Sequence, residues 1–168
     1  MAISRIGDAG LPAGAVLQVV QTTKTDTFST TSTSFTDITG MTVNITPSST
    51  SNKVLVLVHC PITMGDAGGG FTLLRGSTEI FRGDAASSRQ RFTATGLYGS
   101  SSNNAVYSGG TGTAVFLDSP SSTSEQTYKL QTSVQSGGEV AINKSQSDAN
   151  QAYLGRGTSS ITVSEIAG

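Results

Sequence analysis

The segment Lys53–Ile62 restricts the fold more than any other part of the chain. Val54, Leu55, Val56, Leu57 and Val58 are apolar on both parities and lead into His59, Cys60, Pro61 and Ile62. A short β-branched run of this kind reads as a central strand covered on both faces, either by a second sheet or by another subunit. Elsewhere the apolar residues alternate with polar ones. Met41, Val43 and Ile45 are separated by Thr42 and Asn44, and Tyr128, Leu130, Thr132 and Val134 by Lys129, Gln131 and Ser133. Period two with one wet face is the mark of antiparallel sheets, and no long 3.6-residue period competes with it.

The same alternation, punctuated by Gly, Asn and Ser clusters, predicts strands at Ala15–Thr22, Thr27–Ser32, Ser34–Ile38, Met41–Ile45, Lys53–Ile62, Phe71–Arg75, Thr78–Phe81, Phe92–Leu97, Thr113–Leu117, Gln126–Val134, Val140–Asn143 and Ser160–Ile166. Between Arg75 and Thr78, Gly76 can supply the positive φ that a type II′ hairpin requires at its first central position. Ser100–Asn104 and Ser108–Gly112 read as loop tips. A dozen short strands predict an all-β protein, an antiparallel β-sandwich of jelly-roll-like type, although a barrel satisfies the same pattern. Residues 1–14 differ: Gly7, Gly10, Pro12 and Gly14 break any element, with Ile3, Ile6 and Leu11 as isolated apolar residues. They are expected to form an extended N-terminal anchoring arm, with residues 15–168 as a single β-sandwich domain.

Composition narrows the function. Charged residues are 12% of the chain, about half the usual share, while 25 Ser and 24 Thr make a surface that is polar without charge. A net charge of −1 offers no field for nucleic acid or an anionic membrane, and no stretch approaches the apolar length of a membrane-spanning helix. Neither nucleic acid nor membrane insertion is expected. Met1-Ala2-Ile3-Ser4-Arg5 is not followed by a signal-peptide core, so synthesis in the cytoplasm without export is expected.

Little chemistry is visible. His59 is the single imidazole and reads as a hydrogen-bonded structural histidine in mid-strand, and the single Cys60 as a small buried thiol. No G-x-S-x-G elbow is present, and Asp66, Asp84, Asp118 and Asp148 are scattered among loops, so no catalytic residue, metal or cofactor is expected. Gly65, Gly68, Gly69 and Gly70 lack a following G-K-[ST] and read as a flexible turn. Arg82-Gly83-Asp84 matches an adhesion tripeptide but reads as the turn after the hairpin. Arg75, Arg82, Arg89 and Arg91 fall within seventeen residues and form either a solvated face or subunit-contact surface, or a patch of planar donors suited to carboxylates and sugar hydroxyls.

Several longer stretches resemble a known family. Gly14-Ala15-Val16-Leu17-Gln18-Val19-Val20-Gln21, Thr25–Gly40, Val43–Val56, Leu74-Arg75-Gly76-Ser77-Thr78, Phe116-Leu117-Asp118-Ser119-Pro120, Thr127-Tyr128-Lys129 and the closing Ile161–Gly168 are similar to tail-fibre-like virion proteins of aquatic phages, including cyanophages. The resemblance covers nearly everything beyond residue 14. It implies a β-rich, usually trimeric module joined to the particle by an N-terminal segment. The short arm, with no coiled-coil shaft, departs from that pattern.

The resemblance implies a bacteriophage virion structural protein, made in the host cytoplasm and displayed on the particle. Its expected partners are itself as a homotrimer, other virion proteins of tail, baseplate or capsid, and host surface polysaccharide. Ile3, Ile6 and Leu11 are the expected anchoring residues. Arg75, Arg82, Arg89, Arg91, Tyr98, Asn103, Asn104 and Tyr107 are candidate receptor contacts. Two alternatives stand beside a tail fibre: a head decoration protein that cements the capsid lattice and, ranked below it, a glycan-cleaving spike enzyme, which would need paired carboxylates.

Overall fold

A computed structural model of the chain describes residues 11–65, 68–98 and 109–168. Its strands are β1 (Val16–Lys24), β2 (Phe28–Thr30), β3 (Thr36–Ile45), β4 (Lys53–Met64), β5 (Gly69–Arg75), β6 (Thr78–Ile80), β7 (Ala94–Thr95), β8 (Leu97–Tyr98), β9 (Gly110–Asp118), β10 (Gln126–Val134), β11 (Val140–Ile142) and β12 (Ser159–Ile166). No helix occurs among the described residues. Sheet A runs β1-β12-β4-β9, extended at one end of β4 by β11, β2 and β8, and sheet B runs β3-β10-β5-β6, with β7 also against β5. All pairings are antiparallel except the short β4–β8 contact.

Taking β1, β3, β4, β5, β6, β9, β10 and β12 as eight principal strands in chain order, the two sheets read 1-8-3-6 and 2-7-4-5. That is the strand order of a jelly roll, an antiparallel β-sandwich built from two Greek keys. The core lies between the sheets. Val54, Val56, Val58, Cys60, Ile62 and Met64 of β4, with Ile161 and Val163 of β12, face Ile38, Met41, Val43, Ile45, Phe71, Leu73, Tyr128 and Leu130 of sheet B.

The structure departs from the sequence reading at definite places. Ser34–Ile38 and Met41–Ile45 join into the single strand β3, because a bulge opposite β10 at the Lys129–Gln131 step, with Gly40 at φ 84°, lets both Ile38 and Met41 face the core. Phe92–Leu97 divides: Ala94–Thr95 pairs with β5 of sheet B, whereas Leu97–Tyr98 pairs with β4 of sheet A. Gly69 and Gly70 open β5 as buried strand rather than turn. Gly110–Gly112 is strand rather than loop tip, and the Cβ of any other residue at position 112 would lie 2.5 Å from Cε1 of Phe71. His59 points outward from sheet A and is exposed, because it falls on the parity opposite to Val58 and Cys60, and its imidazole makes no hydrogen bond with the described residues. Cover on both faces of β4 is supplied by this chain on one face only: Val54, Val56 and Val58 are buried, whereas Leu57 is exposed. The hairpin forms as expected, Arg75 pairing with Thr78 around Gly76 at φ 59°.

Candidate binding cleft

The two ends of the sandwich are chemically different. Where β4 begins, one inward row of sheet A runs Asp118, Val54, Glu165 and Gln18 across β9, β4, β12 and β1. Both carboxylates in that row are buried and hydrogen-bonded. Asp118 accepts hydrogen bonds from Arg75 Nη1 at 2.6 Å and the Tyr128 hydroxyl at 2.7 Å, tying sheet A to sheet B. Burial, with the Asp118 carboxylate alongside, pushes the Tyr128 phenol well above its ordinary pKa. Glu165 accepts from Ser48 N at 2.6 Å, Ser48 Oγ at 2.7 Å, Asn52 Nδ2 at 2.7 Å and Gln18 Nε2 at 2.5 Å. These bonds pin the β3–β4 connection. This end is closed.

The opposite end, where β4 finishes, holds a cleft of about 260 Å³. Met64 ends β4, Gly68 precedes and Gly69 starts β5, Thr95 ends β7, Gly96 links β7 to β8, and Gln135 follows β10, while Arg89, Gln90 and Phe92 come from the connection between β6 and β7. That connection is fastened to β5. Thr93 N donates to Phe71 O at 2.8 Å, and Thr93 Oγ1 accepts from Leu73 N at 2.9 Å and donates to Phe81 O at 2.6 Å. The Phe92 ring is further set by an edge-on contact with Phe35, centroids 5.7 Å apart.

The candidate arginines separate by role. Arg75 is engaged by Asp118, Arg82 by Glu79, and Arg91 donates from Nε to Gly83 O at 2.5 Å. Arg89 alone reaches the cleft, where it is exposed and makes no ion pair or side-chain hydrogen bond with the described residues. With Gln90 and Gln135 it gives planar donors and acceptors around the apolar surface of Phe92 and Met64, a small set of polar groups on an apolar base. Tyr98 lies in β8 at this end, and Asn103, Asn104 and Tyr107 fall outside the described residues. Of the anchoring residues, Leu11 is half-buried just before Gly14, whose N–H donates to Ala167 O at 2.8 Å, while Ile3 and Ile6 also fall outside.

Phe92, Gln90 and Gln135 were not visible as site residues in the sequence. The run Arg89-Gln90-Arg91-Phe92 carried a signal, an aromatic beside planar polar groups. Gln135 carried none, since it reaches the cleft only because its N–H follows the β10–β5 pairing and donates to Gly68 O at 2.9 Å.

Among the described residues no Asp or Glu lines this cleft. A second cavity of about 250 Å³ nearby is lined by Pro61, Thr63, Gly110, Asn143, Lys144 and Ser145, among others. There Lys144 Nζ lies 3.5 Å from Glu139 and 3.8 Å from Asp148. Cys60 is buried in the core, its thiol pushed up to about 11 by burial against a hydrogen bond to Ser159. Among the described residues no group of three or more His, Cys, Asp or Glu is placed to hold a metal. Compared with protein-family models and with curated proteins, the sequence finds no match.

Proposed function

We propose that the chain is a bacteriophage virion structural protein displayed on the particle surface, a homotrimeric tail-fibre-type module anchored by its N-terminal arm and contacting host surface glycan through the cleft at the open end of the sandwich. The virion assignment rests on the resemblance of residues 14–168 to tail-fibre-like proteins. A jelly roll is compatible with it, since capsid and lectin domains both use that architecture, although fold alone does not choose a function.

The observation that carries the glycan contact is Arg89, exposed in the cleft beside the ring of Phe92 with no ion pair or side-chain hydrogen bond to the described residues. An aromatic face supports the apolar side of a sugar ring, amides of Gln90 and Gln135 exchange hydrogen bonds with hydroxyls, and a guanidinium adds a planar charged fork for a carboxylate or hydroxyl pair. The volume is just below the roughly 300–1,000 Å³ of small-molecule clefts, the size of a terminal sugar rather than a long chain. Weak single-site binding would be multiplied by copies on one particle.

Titration of the chain with host surface polysaccharide tests the contact. R89A should weaken binding by about tenfold or more, the worth of one charge-assisted hydrogen bond, while R156A outside the cleft leaves it unchanged. Equal binding by R89A and the unaltered chain would place the contact elsewhere. The chain is expected to release no reducing ends. Release that disappears in E139Q or D148N would assign the second cavity to glycan cleavage instead.

A further inference from the structure

Five of the seven large hydrophobic side chains exposed among the described residues lie on one surface, the outer face of sheet A: Val16, Val19, Leu57, Val115 and Leu117. Register shows how they meet. One outward row across β1, β12, β4 and β9 is Val19, Ser164, Leu55 and Leu117, and the next is Gln21, Thr162, Leu57 and Val115. A third row is Thr23, Ser160, His59 and Thr113. None of these twelve positions is Asp, Glu, Lys or Arg, and Lys53 at the margin turns its ammonium to Ser119 Oγ at 2.8 Å. Val115 is 67% exposed, Val19 55% and Leu117 53%, so the apolar row is open in a single chain.

We infer that this face is buried against a second copy of the same chain. Two properties select that occupant. First, where a symmetry axis passes through this face like side chains approach like, and a face of aliphatic, Ser, Thr, Gln and His side chains with no Asp, Glu, Lys or Arg meets itself without opposing like-charged carboxylates, ammonium or guanidinium groups. Second, the size fits. Four strands about 4.8 Å apart and nine residues at about 3.3 Å each span roughly 19 by 30 Å, which with side-chain relief approaches the roughly 800 Å² that each partner contributes to a standard interface. The run Val54–Val58 carries the same message, because its outward residues Leu55 and Leu57 are as apolar as the inward ones that sheet B covers. This inference rests on the oligomeric part of the proposed function, not on the glycan contact or on position in the particle.

Light scattering on the full chain at micromolar concentration tests it, with L57K and V115K alongside. The unaltered chain should be an oligomer, and the two variants folded monomers whose association is weakened at least tenfold. In a third variant, V115C, the new thiol should react slowly with maleimide when concentrated and rapidly when diluted, while Cys60 stays silent. That measurement also decides if the lysine variants fail to fold, since Val→Cys is a mild change. A monomeric unaltered chain overturns both this inference and the oligomeric reading. Oligomers that persist in folded L57K and V115K, or a thiol in V115C equally reactive at all concentrations in an oligomeric chain, overturn the interface alone.

Discussion

Glu165 shows how a single inward charge can organise an end of the sandwich. It shares its parity with Ile161 and Val163, so β12 drives it inside, where it is 1% exposed. Burial raises its pKa, but the donors from Asn52, Ser48 and Gln18 outweigh burial and hold the carboxyl below its ordinary 4.5. A pKa lower in the folded than in the unfolded state means stabilisation that is complete above the unfolded value and lost as pH falls through the folded one. Asp37, lowered by hydrogen bonds from Lys129 and Gln131, adds an effect of the same sign. E165Q should therefore cost about 1–3 kcal/mol at neutral pH, since an amide leaves donors facing donors. Its melting temperature should also change less than that of the unaltered chain between about pH 6 and about pH 3. Equal slopes in the two proteins would remove Glu165 from the acid response. Cys60 allows a second check: buried, with a thiol pKa near 11, it should resist a thiol reagent in the native state and react once the chain is unfolded.

At the scale of elements, close approach matters as much as alternation. Gly112 lies on the inward face of β9 under Phe71, so G112A must move a fully buried aromatic ring. It should lower stability by about 1–3 kcal/mol in denaturant titration, the usual cost of overpacking. No loss would show that the ring has room to move. This glycine also marks where the sequence stopped being informative. Period two located the strands well, because each buries one face and Ser or Thr marks the other. What it could not show was a contact between residues far apart. Gly110–Gly112 looked like the end of a loop until Phe71 was placed above it. Arg75 looked free until β5 and β9 brought it to Asp118, 43 positions away. Conversely, a charged residue at an inward position was legible in the Ile161, Val163, Glu165 series and could have marked the closed end in advance.

The whole molecule is a jelly roll with one end closed by buried carboxylates, the other open as a cleft, and an apolar outer face on sheet A. In the proposed function these become an anchored end, a contacting end and a subunit interface. Cutting the chain after residue 10 leaves the bonds of Gly14 and Ala15 to Ala167 in place, so the β spectrum and melting temperature should stay nearly unchanged while incorporation into particles is lost. Incorporation at normal copy number would place the anchor elsewhere. Antibody against this chain, applied to purified virions and viewed by electron microscopy, tests the virion assignment most directly. Label on the tail is the expected result, and label on the head would turn the reading to capsid decoration. Particles that carry no label, from infections in which the protein is made, would contradict a virion role altogether.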